Sequence, residues 1–407
     1  MYKNYQEFSK LNLKLDMSRG KPSPEQLDLS LSLLNETGIS DQIKSSDIDC
    51  RNYGIQLGLP EIRELFALLL DVPMNQVVVE GNSSLALMHD VIVFALLYGT
   101  PDNSPWSSNK PITFLCPVPG YDRHFAILEA FGINMINVPL LEDGPDMDLV
   151  ESLVLDDASI KGMWCVPKYS NPTGTVYSSG IINRLASMST AASDFRLFWD
   201  DAYRFHHLTE QRITIPNILD ICQKAGHPDR TIAFTSTSKM TFAGSGLAIL
   251  ASSQTNIDWW QRCVSVRSIG PDKLNQLRHL RFFQNSVSIE NLMDQHRSIL
   301  KPKFDAVDSI FEKYLGELDN VSWSKPLGGY FINLITPPSL AKRTVELAKN
   351  AGIILTPAGA TFPYGSDPDD KHIRIAPSYP NLDEIKLAAQ GVSLALLHAI
   401  TEQKDKA

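Results

Sequence analysis

The sequence predicts an α/β protein with a mostly parallel central sheet in a large domain, joined to a smaller α/β domain. Short apolar stretches alternate with helical patterns along most of the 407 residues, as strands and crossover helices do in parallel sheets. Polar side chains collect just after the apolar stretches. In open α/β sheets this carboxyl edge is where ligands bind, so we expect a functional site there.

The strand candidates of the central sheet are short and apolar, and each ends in a polar residue or a turn signal. They lie at 77–80, 112–116, 161–166, 195–199, 231–234 and 247–251. Their lengths are those of ordinary buried strands. Helical spacing separates them, beginning at Pro60, where proline suits the first turn of a helix.

The pattern changes in the last third of the chain, which predicts a second domain. A long amphipathic helix is expected over about 288–318, followed by a strand-like stretch at 328–335. We therefore predict a large domain over 46–286. The small domain is predicted to combine 1–45 with 287–407.

Composition and charge argue against several classes of protein. With 37 Lys+Arg against 46 Asp+Glu, the formal net charge is −9, whereas nucleic-acid binding needs clustered basic residues. No apolar run reaches the ~20 residues of a membrane span, and the N-terminus has no apolar leader. We therefore expect no nucleic-acid partner and no membrane association.

The cysteines and histidines give no sign of a disulfide framework or a metal site. The five cysteines are dispersed, without a C-x-x-C clip, which predicts reduced thiols and a cytoplasmic protein. No set of Cys, His, Asp and Glu has the spacing of zinc ligands, so no metal is expected. His89, His124 and His279 are interpreted as packed or surface residues.

Two polar residues that follow strand candidates could carry chemistry. Lys239 ends a Ser/Thr-rich segment just past the stretch at 231–234. Taken alone, such a lysine is more often structural, but a partly desolvated lysine can lose its proton and form a Schiff base with an aldehyde. Asp200 ends the stretch before it, where a carboxylate can cap a helix or hold a proton on a pyridine nitrogen.

Two further features accompany them. Asn171 lies in the turn signal Ser170-Asn171-Pro172-Thr173-Gly174, which is as typical of a plain turn as of a site. Arg374 lies inside an apolar run, where it either pairs with a buried structural carboxylate or grips a ligand carboxylate through two hydrogen bonds. Each feature alone is a weak signal.

Together and in this order, these features resemble the class I aminotransferases, which use pyridoxal 5′-phosphate (PLP). The similarity runs from Arg51 to Arg374 and is closest to a divergent bacterial branch that is similar to aspartate aminotransferases. The segments that carry it lie at 51–63, 117–125, 270–279 and 356–365. The resemblance implies the PLP-dependent transferase fold of type I and PLP as the cofactor.

The resemblance also implies the catalytic roles. Lys239 would form the internal aldimine with PLP and move the proton between Cα and C4′ of the reacting pair. Asp200 would pair with the pyridine nitrogen, and Tyr203 and Asn171 would hydrogen-bond the phenolic oxygen of the ring. Tyr121 would stack on the ring, where an aromatic contact contributes about 0.5–1.5 kcal/mol; the alternative is a half-buried core tyrosine.

Donors for the cofactor phosphate follow from the same resemblance. Asn82 and Ser83 open a helix, whose N-terminus suits an anion, and Ser236 is expected beside them, although each serine can equally be only a helix cap. Tyr53 corresponds to a tyrosine that reaches the phosphate of the neighbouring subunit. A homodimer with shared active sites is therefore implied.

One position departs from the family pattern. Most relatives have an arginine shortly after the lysine to bind the phosphate, whereas this chain has no arginine between Lys239 and Arg262. Another group has to neutralise the phosphate. Lys273 is the candidate for this role.

For the substrate, the resemblance implies that Arg374 binds the α-carboxylate together with Asn171. The backbone of Gly20 corresponds to a glycine that approaches the substrate. The residue that binds the distal carboxylate stays open among three arginines. Arg267 lies near the corresponding region, and Arg19 and Arg123 are the other two candidates.

The activity implied is an L-aspartate:2-oxoglutarate aminotransferase that works by ping-pong transfer through pyridoxamine phosphate, with small-molecule amino-acid and 2-oxo-acid substrates. The alternatives are an aminotransferase for alanine, aromatic or branched-chain amino acids, and a non-catalytic, effector-sensing relative. Such a relative needs an added DNA-binding domain, and the aminotransferase pattern begins by about residue 16. A third alternative, a catalytically inactive structural relative, is disfavoured because Lys239, Asp200, Tyr203 and Arg374 are all present.

Overall fold

The computed structural model describes residues 4–36, 44–45, 47–108 and 110–405. The α-helices of this part of the chain are α1 Tyr5–Ser9, α2 Pro24–Asp28, α3 Pro60–Leu70, α4 Ser84–Tyr98, α5 Asp122–Ala130, α6 Met147–Asp156, α7 Ser179–Ser187, α8 Ile218–Lys224, α9 Gln254–Val264, α10 Lys273–Phe283, α11 Ser286–Leu315, α12 Ala341–Asn350 and α13 Leu382–Lys404.

The strands are shorter and most of them lie between helices. They are β1 Leu15–Asp16, β2 Lys44–Ser45, β3 Ile48–Asp49, β4 Val77–Glu80, β5 Thr113–Val118, β6 Asn134–Leu141, β7 Gly144–Pro145, β8 Ile160–Cys165, β9 Arg196–Asp200, β10 Thr231–Ser236, β11 Ala248–Ser252, β12 Ser322–Trp323, β13 Ile332–Ile335, β14 Ile353–Ile354 and β15 His372–Ile375.

The central sheet is mostly parallel, as the sequence predicts. Its strand order is β4-β11-β10-β9-β8-β5-β6-β7. The five strands from β10 to β6 pair in parallel, whereas β11 runs antiparallel to both β10 and β4. Strands β4, β5, β8, β9 and β10 therefore point the same way, and their carboxyl ends meet at one edge of the sheet.

Both faces of this sheet are buried, which explains why its strands are continuous apolar runs. In β9, Leu197 and Trp199 pack into the core on one face, and Phe198 packs into the core on the other. The same alternation places Val77 and Val79 of β4 on the first face. Helices cover both faces, so the sheet is a rigid base for the residues at its edge.

A third hydrophobic core brings the two ends of the chain together. Phe8, Leu15 and Met17 pack in one cluster with apolar side chains of α11, α12 and α13. The three-stranded sheet β12-β13-β15 and the pair β1-β14 contribute to this part. The division into domains at 46–286 stays a prediction, and its boundary at residue 46 lies outside the described residues.

The described residues contain neither a helix suited to spanning a membrane nor a cluster of metal-ligating side chains. None of the helices there combines the length and the apolar composition that crossing a bilayer requires. No group of three or more His, Cys, Asp or Glu side chains in that part of the chain is arranged to hold a metal ion.

Candidate active site

Five parallel strands deliver their following residues to the same edge of the central sheet. Ser83 comes just after β4, Tyr121 after β5, Asn171 after β8 and Lys239 after β10, while Asp200 is the last residue of β9. These residues lie far apart along the chain, and the common direction of the strands is what brings them together.

Two adjoining cavities open at this edge. The larger has a volume of about 760 Å³ and the smaller about 190 Å³. Both are lined by Tyr121, Asn171, Tyr203 and Lys239. The predicted residues that line only the smaller cavity are Ser83, Asp200 and Ser236. Those that line only the larger cavity are Gly20, Arg19, Arg123 and Arg374.

Lys239 lies half-buried in the wall between the two cavities. Burial lowers the pKa of its amine, and the nearby Asp200 carboxylate opposes this by raising it. The amine nitrogen lies 5.0 Å from the centre of the Tyr203 ring. A lysine whose pKa is lowered is neutral in a larger fraction of molecules, and the neutral amine is the nucleophile and base.

Asp200 offers an unsatisfied carboxylate oxygen to the smaller cavity. Its Oδ2 lies 3.0 Å from Nε2 of His124, whose ring stacks on Trp164 with centroids 4.1 Å apart. Its Oδ1 is buried and finds no hydrogen-bond partner among the described residues. A buried oxygen left in this way is costly unless a donor reaches it, and the protonated ring nitrogen of PLP is a donor of the required kind.

Tyr203 and Tyr121 keep their phenolic protons in this setting. Burial raises the pKa of Tyr121 to about 12 and raises the pKa of Tyr203 well above its ordinary value. Both hydroxyl groups are therefore hydrogen-bond donors at neutral pH. Asn171 is buried and adds an amide that can donate beside them.

The phosphate candidates are only partly brought together. Ser83 and Ser236 line the smaller cavity, and the Ser83 hydroxyl also accepts the backbone N–H of Ala86 at the start of α4. Asn82 does not line either cavity, because its side-chain amide donates to the carbonyl of Gly244. Ser238, which sequence reasoning did not single out, lines the smaller cavity instead.

Arg374 lies buried in β15 at the larger cavity. Its Nη1 donates to Oδ1 of Asp122 at 2.7 Å and lies 3.4 Å from Oδ1 of Asn171. The guanidinium carbon lies 5.0 Å from the centre of the Phe331 ring. Phe331 also explains why residue 20 is a glycine, since a Cβ at this position would lie 2.4 Å from the Phe331 ring.

Besides Asn82, three predicted site residues lie away from both cavities. Tyr53 is 81% exposed. Arg267 pairs with Glu80 and with Asp90, the second at 3.1 Å. Lys273 is buried and donates to the carbonyl of Gly54 at 3.0 Å. The last contact places Lys273 beside Tyr53, and the two therefore belong to one region of the surface.

The assignment of Lys273 to the phosphate stays a prediction with a direct test. We expect Lys273→Ala to weaken PLP retention several-fold, because the amine supports the backbone beside Tyr53 and supplies a positive charge there. Equilibrium dialysis of the cofactor measures this. Lys224→Ala, which removes an exposed lysine paired with Asp220, is the control. Retention equal to that of the control contradicts the assignment.

The sequence did not predict the histidine and tyrosine side chains that hydrogen-bond the site residues from outside the cavities. His124 was interpreted as a packed or surface residue, and it contacts Asp200. The Lys239 carbonyl accepts from the Tyr330 hydroxyl and lies beside Nε2 of His206. The Met240 carbonyl lies beside Nε2 of His296. These contacts join distant segments, and a lone histidine or tyrosine gives no local signal for them.

Comparisons with known proteins show the family of the chain. The sequence model of the family described as aspartate amino-transferase matches residues 1–406. An aspartate aminotransferase from Corynebacterium glutamicum is 45% identical over 401 residues, covering 98% of this chain and 93% of that protein. A protein from Mycolicibacterium smegmatis is 51% identical over 403 residues, covering 98% of this chain and 94% of that protein.

Solved structures give the same result. The crystal structure of an aspartate transaminase from Corynebacterium glutamicum superposes with a TM-score of 0.96, at 45% identity, over 98% of this chain and 94% of that chain. An α-aminoadipate aminotransferase from Thermus thermophilus shares the fold, with a TM-score of 0.77 at 20% identity, over 98% of this chain and 95% of that chain. The fold is thus that of the type I transferases, and the chain is an aminotransferase that belongs to the aspartate aminotransferase family.

Proposed function

We propose that the chain transfers the amino group of L-aspartate to 2-oxoglutarate. The observation that carries this proposal is the charge of the larger cavity. Its walls hold the cations Arg19, Lys21, Arg123, Lys349 and Arg374, besides Lys239, and among the described lining residues Asp122 is the one acid. In a chain of net charge −9, such a local excess of positive charge attracts dianionic substrates.

PLP is the proposed cofactor, and the unpartnered Asp200 oxygen, the Lys239 amine and the serines of the smaller cavity fit it. When bound, PLP supplies an aldehyde that carries the amino group and a protonated ring that withdraws electrons. Asp200 would hold the ring proton. Tyr203 and Asn171 would donate to the ring oxygen, and Ser83 and Ser236 to the phosphate.

Lys239 is the proposed acid and base of the reaction. Its lowered pKa would let the neutral amine take a proton from the substrate Cα, and the resulting ammonium would return that proton to C4′. Arg374 would fix the α-carboxylate so that the Cα–H bond faces Lys239. Tyr121, which lines both cavities, would stack against the ring and limit its tilt.

Two candidates for binding the distal carboxylate of the substrate lie in the chain's own larger cavity. Arg19 and Arg123 line it and both are exposed, so each can turn towards a substrate. Arg267 is already paired with Glu80 and Asp90. Arg267 stays a candidate that would act from a neighbouring subunit.

A homodimer with shared active sites is the proposed assembly. Tyr53 and Lys273 lie outside the chain's own cavities, in a region that also exposes Ile55, Val266 and Ile269. This region extends across the contact between Gln56 and the Ser268 carbonyl. An exposed apolar patch beside predicted phosphate ligands favours a second subunit that receives them.

We expect the double substitution Val266→Asp with Ile269→Asp to yield monomers and to lower the affinity for PLP several-fold, because two buried charges would oppose the interface. Light scattering after gel filtration measures the mass, and a cofactor titration measures the affinity. Leu155→Asp, which changes an exposed leucine of α6, is the control. Dimers with unchanged affinity in the double variant contradict the shared site.

We place the protein in the cytoplasm. The cysteines that the sequence predicts to be reduced are all buried and free of disulfides in the described part of the chain: Cys50, Cys116, Cys165, Cys222 and Cys263. Burial raises the pKa of Cys116 and Cys165 in particular, which keeps these thiols protonated and unreactive.

A second candidate is an aminotransferase for larger amino acids. The larger cavity, at about 760 Å³, also has the apolar side chains of Phe331, Val345, Ile354 and Leu355 in its wall. Such a lining suits aromatic or branched-chain donors as well as a dicarboxylate. Alanine, the other donor considered, has no specific contact in its favour.

A panel of amino donors tests the proposal. The holoenzyme is given 2-oxoglutarate with L-aspartate, L-alanine, L-phenylalanine or L-leucine, and the formation of glutamate is followed. We expect kcat/KM for aspartate to exceed the others by about 100-fold, which is the discrimination that a lost charged contact provides. A higher kcat/KM for phenylalanine or leucine contradicts the substrate and favours the second candidate.

A further inference from the structure

Asp122 forms an ion pair with Arg374 inside the larger cavity. Its Oδ1 accepts a hydrogen bond from Nη1 of Arg374 at 2.7 Å, and both residues line the larger cavity. The Arg374 side chain is 6% exposed and that of Asp122 is 30% exposed. A charge-assisted contact in such a partly buried setting is stronger than an ion pair on the open surface.

The other sides of the Arg374 guanidinium are already covered. Nε and Nη2 both donate to the Thr356 hydroxyl, at 3.3 and 3.2 Å. That hydroxyl in turn donates to the Ser18 carbonyl at 2.6 Å, which holds Thr356 in place. The ring of Phe331 covers one face, with its centre 5.0 Å from the guanidinium carbon.

At Nη1, by contrast, the guanidinium meets Asp122. Nη1 also lies 3.4 Å from Asn171 Oδ1, and Asn171 lines both cavities with Lys239. This side of Arg374 therefore faces the reacting centre. A carboxylate that binds Arg374 from the direction of Lys239 meets the same N–H donor that Asp122 uses.

We propose that Asp122 competes with substrates for Arg374: it is a carboxylate of the chain itself that the α-carboxylate of a substrate has to displace. The inference rests on the proposed role of Arg374 in binding the α-carboxylate. Asp122 itself stays stabilised after displacement, because it is the first residue of α5 and carboxylates are favourable at a helix N-terminus. Asp122 thus weakens the binding of every carboxylate ligand without taking part in the chemistry.

The affinity of Arg374 for a substrate carboxylate is therefore lower than it would be without the charge of Asp122. When only a fraction of molecules has the arginine free, the measured dissociation constant rises by the inverse of that fraction. An asparagine at this position keeps an acceptor oxygen but loses the negative charge, so Arg374 is free in a larger fraction of molecules. We therefore expect Asp122→Asn to bind carboxylates about tenfold more tightly.

The test uses succinate, a dicarboxylate that has no amino or oxo group and so cannot react. Calorimetric titration of the holoenzyme gives its dissociation constant for the wild type, Asp122→Asn and Glu317→Gln. Glu317 is exposed at the end of α11 and lies outside both cavities, so its substitution changes the net charge equally. We expect tighter binding in Asp122→Asn alone, with KM for both substrates reduced in parallel and kcat retained.

Equal or weaker succinate binding in Asp122→Asn overturns the proposal, since it would mean that Asp122 only holds Arg374 in position. Arg374→Ala is measured beside it. If that variant binds succinate like the wild type, Arg374 is not the carboxylate site and the proposal fails with it. If Asp122→Asn binds more tightly but aspartate is a poor donor in the panel, the proposed substrate fails and the role of Asp122 stands.

Discussion

Lys239→Ala is expected to lower kcat for amino transfer by about 10⁴-fold or more, because it removes both the nucleophile and the proton carrier. The amine is the only one among the described residues that lines both cavities. Burial lowers its pKa, which supplies the neutral form that both roles need. Small primary amines added to the variant should restore part of the rate in proportion to their concentration.

The matched control is Lys303→Met. Lys303 is a buried lysine whose pKa is also lowered by burial, but its amine donates to the Ser378 carbonyl and it lines neither cavity. Its loss should reduce stability and leave kcat near that of the wild type. A Lys239→Ala variant that keeps more than a tenth of the wild-type rate, with no added amine, contradicts the assigned role.

Asp200→Asn is expected to lower kcat by about 10²–10³-fold, which is the loss found when one buried, oriented charge partner of a reacting group is removed. The substitution keeps the shape of the side chain. It removes the negative charge that would hold the ring proton of PLP, and the neutral amide offers no comparable stabilisation. Steady-state rates and the affinity for PLP should both fall.

Asp201→Asn separates this effect from the general loss of a buried charge. Asp201 is the next residue and is equally buried, but its carboxylate pairs with Arg204 at 2.8 Å and does not line either of the two cavities of the site. We expect Asp201→Asn to lower the melting temperature and to leave kcat within about threefold. The substitution breaks only the ion pair between the buried Asp201 and the half-buried Arg204. Equal losses of kcat in the two variants contradict the role of Asp200.

Much of the site was predictable because it lies where strands end. A buried strand in a parallel sheet is a short apolar run, and the residue after it is polar when it faces the ligand edge. Lys239, Asp200 and Asn171 follow this rule. The strand predicted at 328–335 begins only at Ile332, because Gly328 and Gly329 pack closely against Tyr169 instead.

The supporting contacts were not predictable for a physical reason. Asp122 and Arg374 are 252 positions apart, and His124 and Asp200 are 76 positions apart. Such contacts depend on how the two sheets and their connecting helices pack, and no local pattern records them. For Tyr53, the limit is different, since its proposed role needs a second subunit.

The most direct test of the whole account is a half-reaction of the holoenzyme with L-aspartate and no acceptor. Ping-pong transfer through Lys239 predicts one oxaloacetate released per bound cofactor, after which the reaction stops. Adding 2-oxoglutarate should then yield an equal amount of glutamate. Release of no oxaloacetate, or its continuous release without an acceptor, would contradict the account.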